Sequence, residues 1–337
     1  MGFATGRLIE HDTNAPGVIR RLLCSGPMRR QAVFATIACE LAAERHRQIT
    51  GEHDDHAAAV AKAEVLRDGR AREVIGLAIG DHVPDGLLGA LERVGLSPLR
   101  LSLGYRRLID VFIQPEQRHI ADGLRHVGAI QHETLMIIDM LRPWLVHPQV
   151  LSRLESVSDA RAFVEAVTFA QSVNSAATDE RILGALAHMG AQTTLPELTA
   201  RFLRRADREL GVPIPADDDV NPIRTIQEMI VTSRRFRNCL GTNKRIVGAL
   251  RRRTAYANFK GLAIMEFVAL SDSSWVYAGS YGVRNETVGD DVEAAARAKC
   301  AAAGVPFFRP GGERTGPFAA ILDPYDHRLI DFGAYDL

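Results

Sequence analysis

A break at residues 210–224 constrains the fold of this chain more than any other feature of its sequence. The segment reads LGVPIPADDDVNPIR, with three prolines and three consecutive aspartates. Proline removes a backbone donor and clashes with the preceding turn, so a helix cannot continue through this stretch. We therefore predict two domains, at 1–210 and 222–337, joined by a linker at 211–221. A chain of 337 residues is long enough for each domain to bury its own core.

Residues 15 to about 210 read as a succession of helices. Short segments such as PDGLLGALERVG and TDERILGALAHMG open with Pro, Asp or Thr and close at Gly, as helix capping favours. Val33, Ile37 and Leu41 recur at helical spacing, and alternation of β-branched residues is nearly absent. We predict a mainly α fold: an irregular helical array, for which a solenoid-like stack is one arrangement, followed by a small α+β domain.

After the break the sequence pattern changes. Asn221 before Pro222 predicts a helix N-cap, so we expect one helix at 222–240 and a shorter one at 244–253. GLAIMEFVAL and SSWVYAGSYGV read as two strands joined by a turn at SDSS. GDDVEAAARAKCAAAG reads as a helix that ends at Gly304, and the tail PFAAILDPYDHRLIDFGAYDL is expected to hold one or two short strands.

Composition excludes several classes of protein. The start, MGFATGRLIEHDTN, lacks the pattern of a signal peptide, and no run approaches the roughly 20 apolar residues of a membrane span. The four cysteines, at positions 24, 39, 239 and 300, form no close pair. That spacing argues against a disulfide framework and against a cysteine-rich zinc module. We expect a reduced, cytoplasmic protein with no membrane contact and no cofactor.

The strongest local signal is a run of positive charge just after the break. The whole chain has a formal net charge of zero, but only Glu228 opposes ten basic residues between 224 and 260. Those ten are Arg224, Arg234, Arg235, Arg237, Lys244, Arg245, Arg251, Arg252, Arg253 and Lys260. Arginine forks match phosphate oxygens, and released counterions favour binding to polyanions.

This basic run predicts a nucleic-acid contact surface. Tyr256 and Phe259 follow the arginines and are candidates to stack on bases. The predicted contacts are Arg234, Arg235, Arg237, Lys244, Arg245, Arg251, Arg252, Arg253, Tyr256 and Lys260. Alternatively, the basic residues solvate two helix faces or pair with Asp217–Asp219 and the acids of the last helix. No helix-turn-helix, zinc-finger or RNP-type signature accompanies them.

Cys239 lies between arginine clusters in SRRFRNCLGTN, at the expected end of a helix with Gly241 as its C-cap. Cationic neighbours favour a thiolate, but a catalytic thiol also needs a base. The candidate bases are Glu266 and His327, the latter next to Asp326 in YDHRLIDF. Free cysteines are usually buried side chains, so we expect Cys239 to pack rather than to react.

Other polar clusters give weaker signals. EHDDH at 52–56 carries metal-capable side chains but reads as an exposed helix start. His119, His126 and His132 do not fall on one continuous helix face. GGERTG at 311–316 lacks the GK[ST] of a phosphate-binding loop. We predict no metal site.

Three short motifs stand out in the C-terminal region: RFRNCLGTN, LAIMEF and WVYAGSYGVRN. Together they resemble the PcfJ-like domain found on conjugative plasmids, phages and related mobile elements. In that family a helix ends in a His-Cys-Val/Leu-Gly element, a strand with an acidic residue follows, and a second strand leads into a G-x-x-N turn. The resemblance covers roughly 222–304, and its motif positions are Cys239, Gly241, Glu266, Gly282 and Asn285.

This resemblance implies a mobile-element context and brings no known reaction. Asn238 departs from the family pattern, because it stands where the family has histidine. Glu266 is informative in its own right, since on an alternating strand it shares a face with Leu262, Ile264 and Val268. An acid on an apolar face needs a partner, and we expect one of the arginines at 251–253 to supply it.

These observations leave three functions open. We favour a non-enzymatic, mobile-element-associated binding protein, whose helical scaffold binds protein partners and whose basic C-terminal domain contacts nucleic acid or another polyanion. The second is an enzyme acting on an anionic substrate, with Cys239 as nucleophile and Glu266 or His327 as base. The third is a structural subunit of a larger assembly.

Overall fold

The computed structural model describes residues 2–50 and 56–307 of the chain. Within these residues the fold is mainly α and ends in a small α+β region, as the sequence predicts. None of the helices described there combines the length and the apolar character that a membrane span requires. The predicted tail strands, GGERTG at 311–316, His327 and all of EHDDH except His56 lie outside the described residues.

The part of the chain before the first strand forms a succession of short helices. They are α1 (Thr5–Asn14), α2 (Val18–Leu23), α3 (Pro27–Thr50), α4 (His56–Asp68), α5 (Ala71–Ile79), α6 (Leu87–Val94), α7 (Ser102–Ile113), α8 (Arg118–Arg125), α9 (His132–Met140), α10 (Pro148–Leu151), α11 (Val157–Val173), α12 (Asp179–Ala187) and α13 (Leu195–Leu203). The predicted helical array is confirmed.

By compactness the chain divides into two units. The first is the chain up to Glu165 together with Ile182–Leu195. The second comprises Ala166–Arg181 and the chain from Pro196 onward. The predicted linker at 211–221 lies within this second unit and contributes the buried side chains of Ile214 and Val220 to its core.

Helix α3 is the central element of the first unit and packs against α5, α6 and α7. Because it has neighbours on several sides, every residue at 31–38 is buried. The polar members of that stretch are hydrogen-bonded, as burial requires. Thr36 Oγ1 donates to the carbonyl of Val74 at 2.8 Å, and Gln31 Nε2 donates to the carbonyl of Gly95 at 2.7 Å.

The second unit is built on a four-stranded antiparallel sheet in the order β1-β2-β3-β4. The strands are β1 (Val220–Pro222), β2 (Thr254–Phe259), β3 (Ala263–Ala269) and β4 (Trp275–Tyr281). Helices α14 (Ile226–Phe236) and α15 (Asn243–Leu250) connect β1 to β2, and α16 (Asp290–Ala302) follows β4. The predicted hairpin around SDSS and the predicted last helix are confirmed, whereas β1 and β2 were not predicted.

Both faces of this sheet are buried, so its strands divide their side chains between two cores. On one face Tyr256 and Ile264 pack with residues of α14 and α15 such as Met229 and Ile246. On the other face Ala257, Met265, Phe267 and Tyr277 pack with Ala296 and Cys300 of α16. Glu266 therefore points, with its strand neighbour Ile264, to the α14 and α15 side.

The structure corrects the expected start of the first helix after the break. Thr225, not Asn221, is the N-cap: its Oγ1 accepts from the backbone N–H of Glu228 at 3.1 Å, and the Glu228 carboxylate accepts from the N–H of Thr225 at 3.1 Å. Pro222 instead ends the edge strand β1, where a missing backbone donor is tolerated. The helix also ends earlier than expected, at Phe236.

Candidate functional site

An ion pair with a buried carboxylate lies on the face of the sheet that α15 covers. Glu266 of β3 is only 2% exposed, and it forms a salt bridge with Arg245 of α15. Tyr256, directly across the ladder in β2, donates from its hydroxyl to Glu266 Oε1 at 3.2 Å and accepts from Arg245 Nη1 at 3.2 Å. The sequence correctly indicated that this acid needs a partner, but the partner is Arg245 and not an arginine of 251–253.

Arg245 and the two tyrosines of this cluster, Tyr256 and Tyr281, each keep one protonation state over the physiological pH range. Burial lowers the pKa of Arg245, but the negative charge of Glu266 and the contacts with Tyr256 and Cys239 together outweigh burial and raise that pKa above its ordinary value. Burial, and then the negative charge of Glu266, raise the pKa of both Tyr256 and Tyr281. Arg245 therefore stays charged, and the two phenols stay neutral hydrogen-bond donors.

A β-bulge lies directly opposite Glu266. Glu266 pairs with Gly279, whereas the next residue, Phe267, pairs with Tyr277, so Ala278 is an extra residue in β4. Gly279 has φ +140°, a value that a side chain would strain. Bulges of this kind bend a strand locally and re-aim the side chains beside them, and they are common next to functional sites.

The turn that follows α14 brings Cys239 to the same site. Arg237 ends the helix in a left-handed conformation, with φ 51° and ψ 43°. The side-chain oxygen of Asn238 then accepts from the N–H of Leu240 at 3.1 Å and caps a 3-10 turn over Cys239–Gly241. Cys239 is exposed there, so the expectation that it packs as a buried side chain is wrong.

Gly241 is the last residue of this turn and not the C-cap of α14. A Cβ atom at Gly241 would lie 3.1 Å from both Cβ and Oγ of Ser233, which is tighter than most side chains tolerate. The Ser233 hydroxyl donates to the carbonyl of Asn238 at 2.7 Å and holds the turn against α14. Glycine is favoured here, because any side chain at this position would have to displace Ser233 slightly.

A second tight turn, after β4, completes the site. Gly282 donates its N–H to the carbonyl of Glu286 at 2.8 Å, which closes the loop around 283–285. Arg284 and Asn285 both have left-handed backbones, with φ 60° and φ 61°. For arginine this conformation costs on the order of 1–3 kcal/mol, whereas asparagine tolerates it more easily. The Asn285 side chain thereby meets Cys239 across 46 residues of sequence, and the thiol donates to Asn285 Oδ1 at 3.7 Å.

These elements line a half-open pocket of about 280 Å³, close to the lower end of the range for small-ligand sites. Its lining residues are Asn238, Cys239, Leu240, Arg245, Tyr256, Ile264, Glu266, Tyr281 and Asn285. Three of the five motif positions of the resemblance, Cys239, Glu266 and Asn285, thus line one pocket. The sequence did not assign Asn238 and Ile264 to the site, and it placed Arg245 and Tyr256 in the nucleic-acid surface, because their true positions depend on the turn and on the sheet register.

The predicted catalytic pairing is only partly observed. Cys239 and Glu266 line the same pocket, but the Glu266 carboxylate is engaged by Arg245 and Tyr256. The side-chain partner that the structure gives to the Cys239 thiol is Asn285, which is not a base. His327 lies outside the described residues. Within the described part of the chain, no group of three His, Cys, Asp or Glu side chains is placed to hold a metal ion.

The basic residues of the second unit differ in how they are held. Arg224 pairs with Glu209 at 3.3 Å, Lys260 pairs with Asp219 at 3.5 Å, and Arg251 lies over the ring of Phe169 at 5.0 Å. Exposed members of the predicted nucleic-acid set are Arg234, Arg235, Arg237, Lys244, Arg251, Arg252, Arg253 and Lys260.

The aromatic members of the predicted surface are not exposed. Tyr256 is 3% exposed and Phe259 is 1% exposed, because both belong to β2 and face the two cores of the unit. A base can stack on either ring only if the sheet opens. Arg245 is likewise committed to Glu266.

Comparison of the chain with models of protein families, with curated proteins and with solved structures gives no match. The likeness to the PcfJ-like domain therefore stays a prediction from the sequence.

Proposed function

We propose that this chain is a binding protein whose second unit contacts a nucleic acid through its basic surface. One observation carries the proposal. Six non-glycine residues of the described chain have a positive φ, and four of them are basic: Arg237, Arg252, Lys260 and Arg284. All four are exposed and belong to the second unit.

A left-handed backbone is a position where glycine is relaxed and other residues are strained. The chain keeps a long cationic side chain at four such positions, although glycine would fit each backbone better. Strain of this kind persists where the side chain has a use that outweighs its cost. Exposed cations on one unit can bind a polyanion, since each can neutralise a phosphate and release its counterion.

Exposed arginines without acidic neighbours strengthen the argument. Among the described residues, Arg234, Arg237, Lys244, Arg252 and Arg253 have no carboxylate partner, in contrast to Arg224, Arg245 and Lys260. Unpaired guanidinium groups keep their donors free for phosphate oxygens. The alternative in which these side chains are consumed by internal ion pairs thus accounts for only part of the set.

The test is a variant in which Arg237, Arg252 and Arg284 are all replaced by glycine. Relief of backbone strain offsets the flexibility that glycine adds, so we expect the free energy of unfolding to stay equal or to rise by up to about 1 kcal/mol per site. Binding to single-stranded DNA, followed by fluorescence anisotropy, should weaken. The slope of log affinity against log salt should fall by about two, because three phosphate contacts are lost.

Ser273→Gly is the matched control, because Ser273 has φ 67° but carries no charge. It should relax the backbone and leave DNA binding unchanged. Substituting the same three arginines by lysine retains the charge and should retain most of the salt slope. An unchanged salt slope in the glycine variant would refute the proposed surface.

The same proposal gives the first unit the role of a scaffold for a protein partner. Leu96, Leu101 and Leu103 expose 56%, 51% and 61% of their surfaces around the start of α7, and exposed leucines near one another favour protein contacts. The association with mobile elements rests on the sequence resemblance alone and stays a prediction, as does a role as a structural subunit.

An enzyme is the second candidate function, and the exposure of Cys239 in this pocket favours it. It requires Cys239 to be more nucleophilic than an ordinary exposed thiol. Cys24 is also exposed and provides the internal reference for such a measurement.

A further inference from the structure

The hydrogen-bonding groups of the Cys239 pocket are unequally used. Three side-chain oxygens already accept hydrogen bonds: Asn238 Oδ1 accepts from Leu240, Asn285 Oδ1 accepts from Cys239, and Glu266 Oε1 accepts from Arg245 and Tyr256. The donors are not exhausted. The side-chain NH₂ groups of Asn238 and Asn285, and the Nε and Nη2 of Arg245, have no protein partner among the described residues.

A pocket in which these oxygens are occupied and donors are free selects a ligand rich in acceptors. The free donors come from three directions: the turn after α14, the turn after β4, and α15. Donors that converge in this way suit a tetrahedral or planar oxyanion, whose oxygens accept several hydrogen bonds at once.

The charges around the pocket distinguish between oxyanions. Glu266 and Arg245 neutralise each other inside it. Next to lining residues in the chain are the exposed cations Arg237, Lys244 and Arg284 and one exposed acid, Glu286. An excess of positive charge fits a phosphate monoester, which carries about −1.5 to −2 charges at neutral pH, better than it fits a carboxylate.

We propose that this pocket binds the terminal phosphate of a phosphate monoester. The phosphate oxygens accept from Asn238, Asn285 and Arg245, and the attached group lies against Leu240 and Ile264. A free small molecule and the phosphorylated end of a nucleic-acid strand present the same chemistry. The nucleic-acid source rests on the proposed function, whereas the small-molecule source does not.

Two substitutions test the donors without changing shape. Asn238→Asp keeps the oxygen that caps the turn, and Asn285→Asp keeps both the oxygen that meets Cys239 and a residue type that tolerates the left-handed region. Each replaces a donor by a negatively charged acceptor. Asn258→Asp is the control, since Asn258 also accepts from a backbone N–H, that of Gly261 at 3.0 Å, but does not line the pocket.

Calorimetric titration of the full chain with phenyl phosphate is the first measurement. We expect saturable binding to wild type and to the Asn258→Asp variant, and at least tenfold weaker binding to the Asn238→Asp and Asn285→Asp variants, because a hydrogen bond to a charged group contributes about one to two powers of ten. Absence of saturation below about 10 mM overturns the proposal. Equal losses in all three variants, or equally tight binding of benzoate, overturn it as well.

Oligonucleotides then identify the source of the phosphate. If a terminal phosphate tightens binding of a strand to wild type and that gain disappears in the Asn238→Asp variant, the ligand is a nucleic-acid end. If phenyl phosphate binds but a terminal phosphate gives the strand no gain, the pocket takes a free small molecule. The salt slope of wild type for an unphosphorylated strand tests the basic surface alone, because that strand offers the pocket no terminal phosphate, so failure of the pocket and failure of the proposed nucleic-acid surface are separable.

Discussion

The pair of Arg245 and Glu266 makes an asymmetric prediction about stability. Arg245→Met leaves Glu266, which is 2% exposed, as a carboxylate without a cation. Glu266→Gln leaves Arg245 unpaired, but the Arg245 side chain is 31% exposed and its head can turn toward water. The two single substitutions therefore break the same contact with different consequences.

The expected magnitudes follow from this difference in burial. An uncompensated charge in a protein interior costs about 3–5 kcal/mol. Arg245→Met should therefore lower the free energy needed to open the sheet by that amount. Glu266→Gln removes the charge and keeps an oxygen that can accept from Tyr256, so about 1–2 kcal/mol is expected. The double variant should be more stable than Arg245→Met alone, because the second substitution removes the stranded charge.

Hydrogen exchange of peptides from β2 and β3, read by mass spectrometry, reports the opening of this sheet without interference from the first unit. Gly76→Ala serves as a control for substitution elsewhere, since a Cβ at Gly76 meets nothing within 4 Å. Equal deficits for the two single variants, or a double variant that is less stable than Arg245→Met, would refute this account of the pair.

Two further predictions concern exposed thiols and buried phenols. Iodoacetamide should label Cys239 and Cys24 early and Cys300 last, because Cys300 is buried and burial raises the pKa of its thiol to about 12. Labelling of Cys239 at the rate of Cys24 removes the enzyme candidate, whereas labelling at least tenfold faster favours it. Burial raises the pKa of Tyr256 and Tyr281, so their contribution to stability is complete below the ordinary tyrosine value of about 10 and is lost as pH rises above it. Tyr281→Phe should flatten this alkaline loss in a urea-unfolding series, and a profile as steep as that of wild type would contradict the assignment.

Local patterns in the sequence were sufficient for much of the architecture. The helical array, the hairpin at SDSS and the last helix each depend on capping residues, turn residues and short-range periodicity. The start of α14 was misplaced although the sequence carried the signal: Thr225 and Glu228 have the spacing of a capping box. Asn221 before Pro222 resembles an N-cap followed by a helix start, but these two residues belong to the edge strand β1.

Strand β2 could not be identified in the same way. Its sequence, TAYANF, follows three arginines and has little apolar alternation of its own. Its residues are buried on both faces because helices cover both sides of the sheet, and that property belongs to the assembled unit. For the same reason Tyr256 and Phe259 read as exposed aromatics in the sequence.

The candidate site was predicted in its members but not in its geometry. Cys239, Glu266 and Asn285 were singled out from short motifs, yet their meeting depends on a bulge at Gly279 and on left-handed turns at Arg284 and Asn285. Backbone strain at non-glycine residues leaves no trace in a single sequence. The partner of Glu266 was misassigned because the position of α15 over the sheet decides which arginine reaches it.

The order of the pair along the chain has a consequence for biosynthesis. Arg245 precedes Glu266 by 21 residues, so a ribosome adding about 5–20 residues per second completes the cation roughly one to four seconds before the carboxylate. The strand that carries the acid therefore emerges when its counter-charge already exists in the nascent chain. The acid can then lose its water as it pairs with Arg245. An unpaired carboxylate therefore need not enter the apolar core first.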